Sequence, residues 1–261
     1  MPNHLDLGLH RKIYFVITIL FMASACSEYE TEKVSKEISQ DQIRQYLLEH
    51  PEFVLDDPEI ANSISRARSK REGEIESLER KLLLDEYSDL LNSSLSPTSG
   101  HKDSIVTLIE FYDYQCSPCK ANYQEVEKMR ALEKDVRIIY GQLPVFGSQS
   151  IIAARAAIAA NKQGLFNLYH SLLMTSNKPI NIDLIFDIAT EVGLNLERLQ
   201  ADMRDPEVLE YLEKIRFLAQ ALDVTGTPTY IIGDSILRGG TKYEDLEAVI
   251  QYQRTHSGII R

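Results

Sequence analysis

Apolar runs, thin apolar stripes and polar breaks succeed one another along this chain, and each pattern implies an element. Ile13 to Met22 is an apolar run of ten interrupted only by Thr18, too short to span a bilayer, which takes about 20 residues. Arg11 and Lys12 precede it and Ala23-Ser24-Ala25 follows, so residues 1–25 read as a secretory signal peptide rather than a core helix. Residues 26–38 are polar, a tether. Ser39-Gln40-Asp41-Gln42 then has the spacing of a capping box for a short helix over 40–49. Asp57-Pro58, an N-cap with proline at the first helical position, opens one long helix or two abutting ones running to about Leu91. Its apolar positions (Ile60, Ile64, Ala67, Ile75, Leu78, Leu82) make only a thin stripe among many charges. Such a helix either bridges through solvent or pairs with a copy of itself. Ile43, Tyr46, Leu47, Leu48, Phe53, Val54 and Leu55 add more apolar surface than the segment can bury alone. Residues 39–95 are therefore expected to be a helical arm that assembles a homo-oligomer, a dimer or trimer.

The Ser-, Pro- and Gly-rich stretch 92–103 reads as a linker or boundary. The pattern beyond it is α/β. Ile105–Tyr112 and Val136–Tyr140 are β-branched apolar runs separated by a helical stretch over 117–133, the makings of a βαβ unit. From about 146 to 222 the chain is helical, with segments at 151–160, 165–174 and 184–192 and one opened by Asp205-Pro206. Strand character returns at 229–232 and 236–237 around a Gly233-Asp234 turn. Thr241-Lys242-Tyr243-Glu244 reads as a capping box for a last helix through about Tyr252.

Composition narrows the function. With 28 Lys and Arg against 39 Asp and Glu in 261 residues the net charge is −11. Loss of residues 1–25 would remove two basic residues and one acidic, leaving −12. That balance argues against a nucleic-acid partner, whose backbone is gripped by a basic surface, and against an anionic membrane surface.

Only three cysteines occur, and Cys116 and Cys119 form a C-x-x-C pair at a strand-to-helix junction. In an exported α/β protein this is a redox signature. The first cysteine falls at the exposed N-terminus of a helix, where free N–H groups and the helix dipole favour a thiolate, the attacking species in disulfide exchange. The second, one turn on, can displace the first from a mixed disulfide. Three other uses compete. A structural zinc site lacks ligands, since only Cys26 remains as a thiol and the six histidines have no ligand spacing. A structural disulfide closing so small a loop would stabilise by only about 2 kcal/mol. The third alternative is a pair of inert buried thiols. No metal or cofactor is called for.

Leu108 to Lys120 (LIEFYDYQCSPCK) resembles the active-site segment of DsbA-type thioredoxin-fold oxidoreductases, and Thr225 to Tyr230 (TGTPTY) resembles that family's cis-proline loop. The resemblance covers about 104–252. Residues 43–51 (IRQYLLEHP) also resemble the N-terminal arm of ScsC-like, oligomeric members. The family implies a thioredoxin fold over 100–261 with a helical insertion at about 146–222, preceded by an all-helical arm. It implies a redox-active disulfide between Cys116 and Cys119, a cis Pro228 that with Thr227 binds an extended substrate, and a buried Glu110 with a raised pKa that exchanges a proton with Cys119. A salt-bridged strand acid is the alternative at 110. Family members often carry histidine before the second cysteine. Here Pro118 stands there, which implies a milder oxidant. Met22 to Cys26 resembles a relaxed bacterial lipobox, implying acylation of Cys26 and a membrane anchor; ordinary cleavage at Ala25 is the alternative. Two activities follow as expectations. One is an envelope thiol–disulfide oxidoreductase, oxidase or isomerase, acting on exported cysteine-containing proteins and recharged by a membrane redox partner. The other is a lipid-anchored binding or chaperone protein using the same fold as scaffold.

Overall fold

The structure is a computed structural model that describes residues 38–256. The expected signal peptide, most of the expected tether and Cys26 lie outside the described residues. The chain divides into two compact units at residues 68 and 69.

In the first unit, helix α1 (Gln40–Glu49) starts on the expected capping box. The Ser39 hydroxyl accepts from the Gln42 N–H at 3.2 Å, and the Gln42 side chain accepts from the Ser39 N–H at 3.0 Å. A short α2 (Glu52–Leu55), which the sequence pattern did not suggest, follows Pro51. Asp57 Oδ1 accepts from the N–H groups of Glu59 and Ile60, capping α3 (Pro58–Glu86). No residue of 38–68 is buried, and Ile43, Tyr46, Leu48, Phe53 and Leu55 are exposed.

The second unit is built on a five-stranded sheet of order β1-β3-β2-β4-β5. Its strands are β1 (Thr98–Ser99), β2 (Val106–Tyr112), β3 (Val136–Gln142), β4 (Thr229–Ile232) and β5 (Ser235–Arg238). β2 and β3 are parallel, and every other pairing is antiparallel. Helix α5 (Ser117–Leu132) connects the parallel pair, the βαβ unit expected from the sequence. Helices α6 (Ser148–Lys162), α7 (Phe166–Thr175), α8 (Ile182–Glu191), α9 (Leu196–Asp202) and α10 (Pro206–Ala221) form the insertion. Helix α11 (Tyr243–His256) closes the described chain. Of these only the short α9 is new relative to the sequence pattern.

Both faces of the sheet are covered, which is why β2 reads as a nearly continuous apolar run. Alternation sorts its residues. Val106, Leu108 and Tyr112 join the core that contains α5, α7 and α11. Ile109 and Phe111 join a second core with Ile139, Ile231 and the α10 residues Val208, Leu212 and Ile215. Glu110, in phase with Leu108 and Tyr112, is thereby on the face of α5.

Three expectations are corrected. The stretch 92–103 is no free linker. Thr98 and Ser99 pair with Ile139 and Ile138 as an edge strand, and Asn92 and Ser94 bond to Arg137 and Asn161. The end of the long helix, expected to belong to the oligomerising arm, packs on the domain instead. Leu83, Leu84, Tyr87, Leu90 and Leu91, from α3 and α4 (Ser88–Leu91), pack on the second core. The capping box at Thr241 does not form. Asn122 takes the Thr241 N–H, the Thr241 hydroxyl donates to Gly239 O, and Glu125 receives the Tyr243 N–H that opens α11. Groups from α5 outcompete the local box.

At the β4–β5 turn Gly233 has φ of +58°, and a Cβ there would fall 2.3 Å from Gln253 Oε1, so the turn needs glycine.

Candidate functional site

The site begins where β2 ends. Its last residues run straight into Asp113, whose carboxylate accepts from the Gln115 N–H at 2.7 Å and so bends the chain as an Asx turn. Cys116 N–H donates to Asp113 O at 3.1 Å, and Cys116 is the N-cap of α5. Pro118 sits in the first turn, where no N–H is needed. Cys116 Sγ accepts from the Cys119 N–H at 3.2 Å, doing for this helix what a serine oxygen does elsewhere. Both cysteines are free thiols.

The two sulfurs ionise very differently. The Cys116 thiol is pulled down to about 6, mostly because the Cys119 thiol hydrogen-bonds to it, with the Cys119 N–H adding; burial and the Asp113 charge oppose this. Cys119 is pushed up, by that same hydrogen bond first and by burial second. One sulfur is thus the thiolate at neutral pH and the other holds the proton.

Against the pair stands the loop before β4. The Thr227–Pro228 peptide bond is cis, and Thr227 O lies 3.3 Å from Cys116 Sγ. Glu110 is 2% exposed. Burial above all, then the charges of Glu127 and Cys116, raise its carboxyl to about 8, so it is protonated at neutral pH rather than salt-bridged. Glu110 pairs in register with Tyr230 of β4 and Tyr140 of β3.

One expectation fails here. Cys116 is not open at the helix start: it is 1% exposed and Cys119 is 0% exposed. The Thr227 loop covers the sulfur, and the surface is made by Ser117, Pro118, Thr225 and Gly226. Beside them Val145 and Phe146 are 55% and 56% exposed, and Gln115 Nε2 donates to Phe146 O at 3.1 Å.

The structure gathers Cys116, Cys119, Glu110, Thr227 and Pro228, the five residues on which the family resemblance rests its site. Several neighbours carried no expected role. Asp113 is a buried hub, its signal being an acid directly after an apolar strand. Lys120 donates to Leu173 O and Ser176 O at 3.1 and 2.8 Å, capping α7. His170, fully buried among Tyr112, Tyr114, Tyr140 and Phe166, is held down to about 3 by desolvation and stays neutral; Tyr114 reaches its Nδ1 at 3.0 Å. Among the described residues no cluster of three or more His, Cys, Asp or Glu could hold a metal ion.

A central parallel strand pair, a C-x-x-C pair capping the intervening helix and a cis-proline loop against it define a thioredoxin-fold dithiol protein. The chain belongs to the DSBA-like thioredoxin domain family, whose match spans residues 107–251. The Na(+)/H(+) antiporter NhaA of Herminiimonas arsenicoxydans is 31% identical over 156 residues, 59% of this chain but 25% of that protein. The chain thus spans about a quarter of the length of the first curated relatives it matches. No helix of the described residues is long and apolar enough to cross a membrane. Disulfide bond formation protein D of Bacillus subtilis is 24% identical over 167 residues, 59% of this chain and 75% of that one. Among solved structures, a thioredoxin-like oxidoreductase from Silicibacter pomeroyi is 35% identical with a TM-score of 0.62, covering 64% of this chain and 97% of that chain. A Proteus mirabilis ScsC variant is 25% identical with a TM-score of 0.61, covering 85% of this chain and 99% of that chain.

Proposed function

We propose that this protein is a thiol–disulfide oxidoreductase of the bacterial cell envelope that forms or isomerises disulfides in exported proteins. The observation that carries the reading is the geometry of the dithiol: Cys116 Sγ caps α5 and accepts from the Cys119 N–H at 3.2 Å, with the cis Thr227–Pro228 loop set against it. In the oxidising direction a substrate thiolate attacks Cys116 of the Cys116–Cys119 disulfide. Cys119 leaves and takes up a proton, and Glu110, which titrates near 8 on the same face, is the group suited to deliver it. A second substrate thiolate then displaces the stabilised Cys116 thiolate, releasing the substrate disulfide. The substrate's two electrons now reside in the dithiol, and a membrane redox partner removes them. The Thr227 and Pro228 backbone pairs with the extended substrate while the apolar lip of Val145 and Phe146 meets it first. Since Cys116 is covered, the Thr227 loop must shift before a sulfur can reach it. Similarity to an oxidoreductase and to a disulfide bond formation protein supports this reading.

The arm supports an oligomer, because its apolar residues find no core within 38–68. Cys26 acylation would anchor the assembly, through several acyl chains on one residue. The cut that tests the arm belongs at residue 68, since residues beyond 83 pack on the second core. Protein lacking residues 27–68 is expected to be monomeric by solution mass, and an unchanged subunit number refutes the oligomer.

The activity is tested by following alkylation of the reduced protein against pH. The Cys116 rate is expected to rise through pH about 6 and then level off. A midpoint of about 8.5, that of an ordinary thiol, would overturn the reading. Cys116→Ala separates it from the lipid-anchored binding role, which that variant would retain.

A further inference from the structure

We propose that Asp113 is a positioning residue for Cys116, its buried carboxylate locking the chain that enters α5 to the loop that leaves β3 and fixing a negative charge beside the sulfur. The proposal rests on the oxidoreductase reading and adds a residue to it.

Asp113 is 2% exposed, yet among the described residues it makes no ion pair. Its partners are four dipoles. Oδ1 accepts from the Gln115 N–H at 2.7 Å and the Ser150 hydroxyl at 2.8 Å; Oδ2 accepts from the N–H groups of Val145 and Phe146 at 2.7 and 3.2 Å. All four are donors, which suits the acceptor-only ionised form. Gln115 closes a ring, its Nε2 donating to Ser150 Oγ at 2.8 Å. Two loops 30 residues apart are thus fastened through one carboxylate, and Cys116 follows directly on one of them.

Such an anchor needs only acceptors, and a neutral pair of carbonyls would serve. A charge so near a nucleophilic thiolate has a second effect, since it disfavours a second negative charge. The groups that face Cys116 are Cys119 on α5, Glu110 on β2, Tyr230 on β4 and Asp113. Glu110 and Tyr230 are both shifted towards their neutral forms, and Cys119 keeps its proton. Asp113, whose four partners all donate to it, is the carboxylate whose charge opposes the ionisation of Cys116. It restrains the oxidising strength that the helix start would otherwise confer.

Two variants test this by alkylation against pH and by equilibrium with glutathione. Asp113→Asn removes the charge and also turns one acceptor oxygen into a donor facing donors, so it is read by the Cys116 midpoint rather than the rate: the midpoint is expected to fall by about half a pH unit and the equilibrium to shift about threefold towards the dithiol. Ser150→Ala keeps the charge but strips one donor from it, so its midpoint is expected to move the other way. A purely structural anchor would change the plateau rate in both variants and leave both midpoints in place, and that result overturns the proposal. So does a Ser150→Ala midpoint that falls, even if Asp113→Asn does not fold. An ordinary midpoint in the unaltered protein would instead remove the oxidoreductase reading itself.

Discussion

The two faces of the sheet are equally dry and chemically unlike. On one, Ile109, Phe111, Ile139 and Ile231 meet α10 in a core assembled almost wholly from aliphatic and aromatic groups. On the other, the same strands supply Glu110, Tyr112, Tyr140 and Tyr230, and the helices add Cys116, Cys119 and His170. Burial acts differently on each. The first face gains stability from it without complication. On the second it acts on acids and bases, raising Glu110 and the buried tyrosines and lowering His170, so that the interior is neutral apart from the groups given hydrogen-bond donors.

Changes to either face should therefore separate stability from chemistry. Phe111→Ala empties a fully buried ring from the plain face. It is expected to cost about 3–5 kcal/mol in denaturant unfolding while leaving the Cys116 alkylation midpoint where it was. A midpoint that moved with it would show the faces to be coupled.

Glu110→Gln acts on the other side. The folded carboxyl titrates near 8 against an ordinary 4.5. Its protonated form is therefore favoured on folding, and that contribution is complete below about pH 4.5 and lost as pH rises through 8. The glutamine variant should match the parent near pH 4 and exceed it by a few kcal/mol at pH 9. Parallel stability–pH curves for the two proteins would refute the assignment.

The smallest effect is expected from Tyr114→Phe. This removes a hydroxyl lying 3.1 Å from that of Tyr112 and 3.0 Å from His170 Nδ1. A loss of about 1–2 kcal/mol with unchanged thiol titration would mark these rings as structure. A shifted titration would make them part of the dithiol's machinery.

The sequence made the dithiol, its helix and the Thr227–Pro228 loop legible because each has a local signature: a spacing, a proline in a first turn, a strand beginning. What it hid depends on chain that returns from far away. Cys116 is sealed by a carbonyl 111 positions on. Asp113 is only an acid after an apolar strand until Val145, Phe146 and Ser150 arrive to bond it. Thr98–Ser99 has too few residues to display any alternation and becomes a strand only because β3 offers a free edge. Thr241 carried a sound local signal that Asn122 and Glu125 overrode.

Lys120 stands next to Cys119 and ends α7 by giving its ammonium to the carbonyls of Leu173 and Ser176. The insertion is consequently no detachable ornament. A graft that moved the C-x-x-C helix into another scaffold without residues 173–176 would strand a half-buried cation beside the sulfurs, and a cut in that loop would be felt one residue from Cys119.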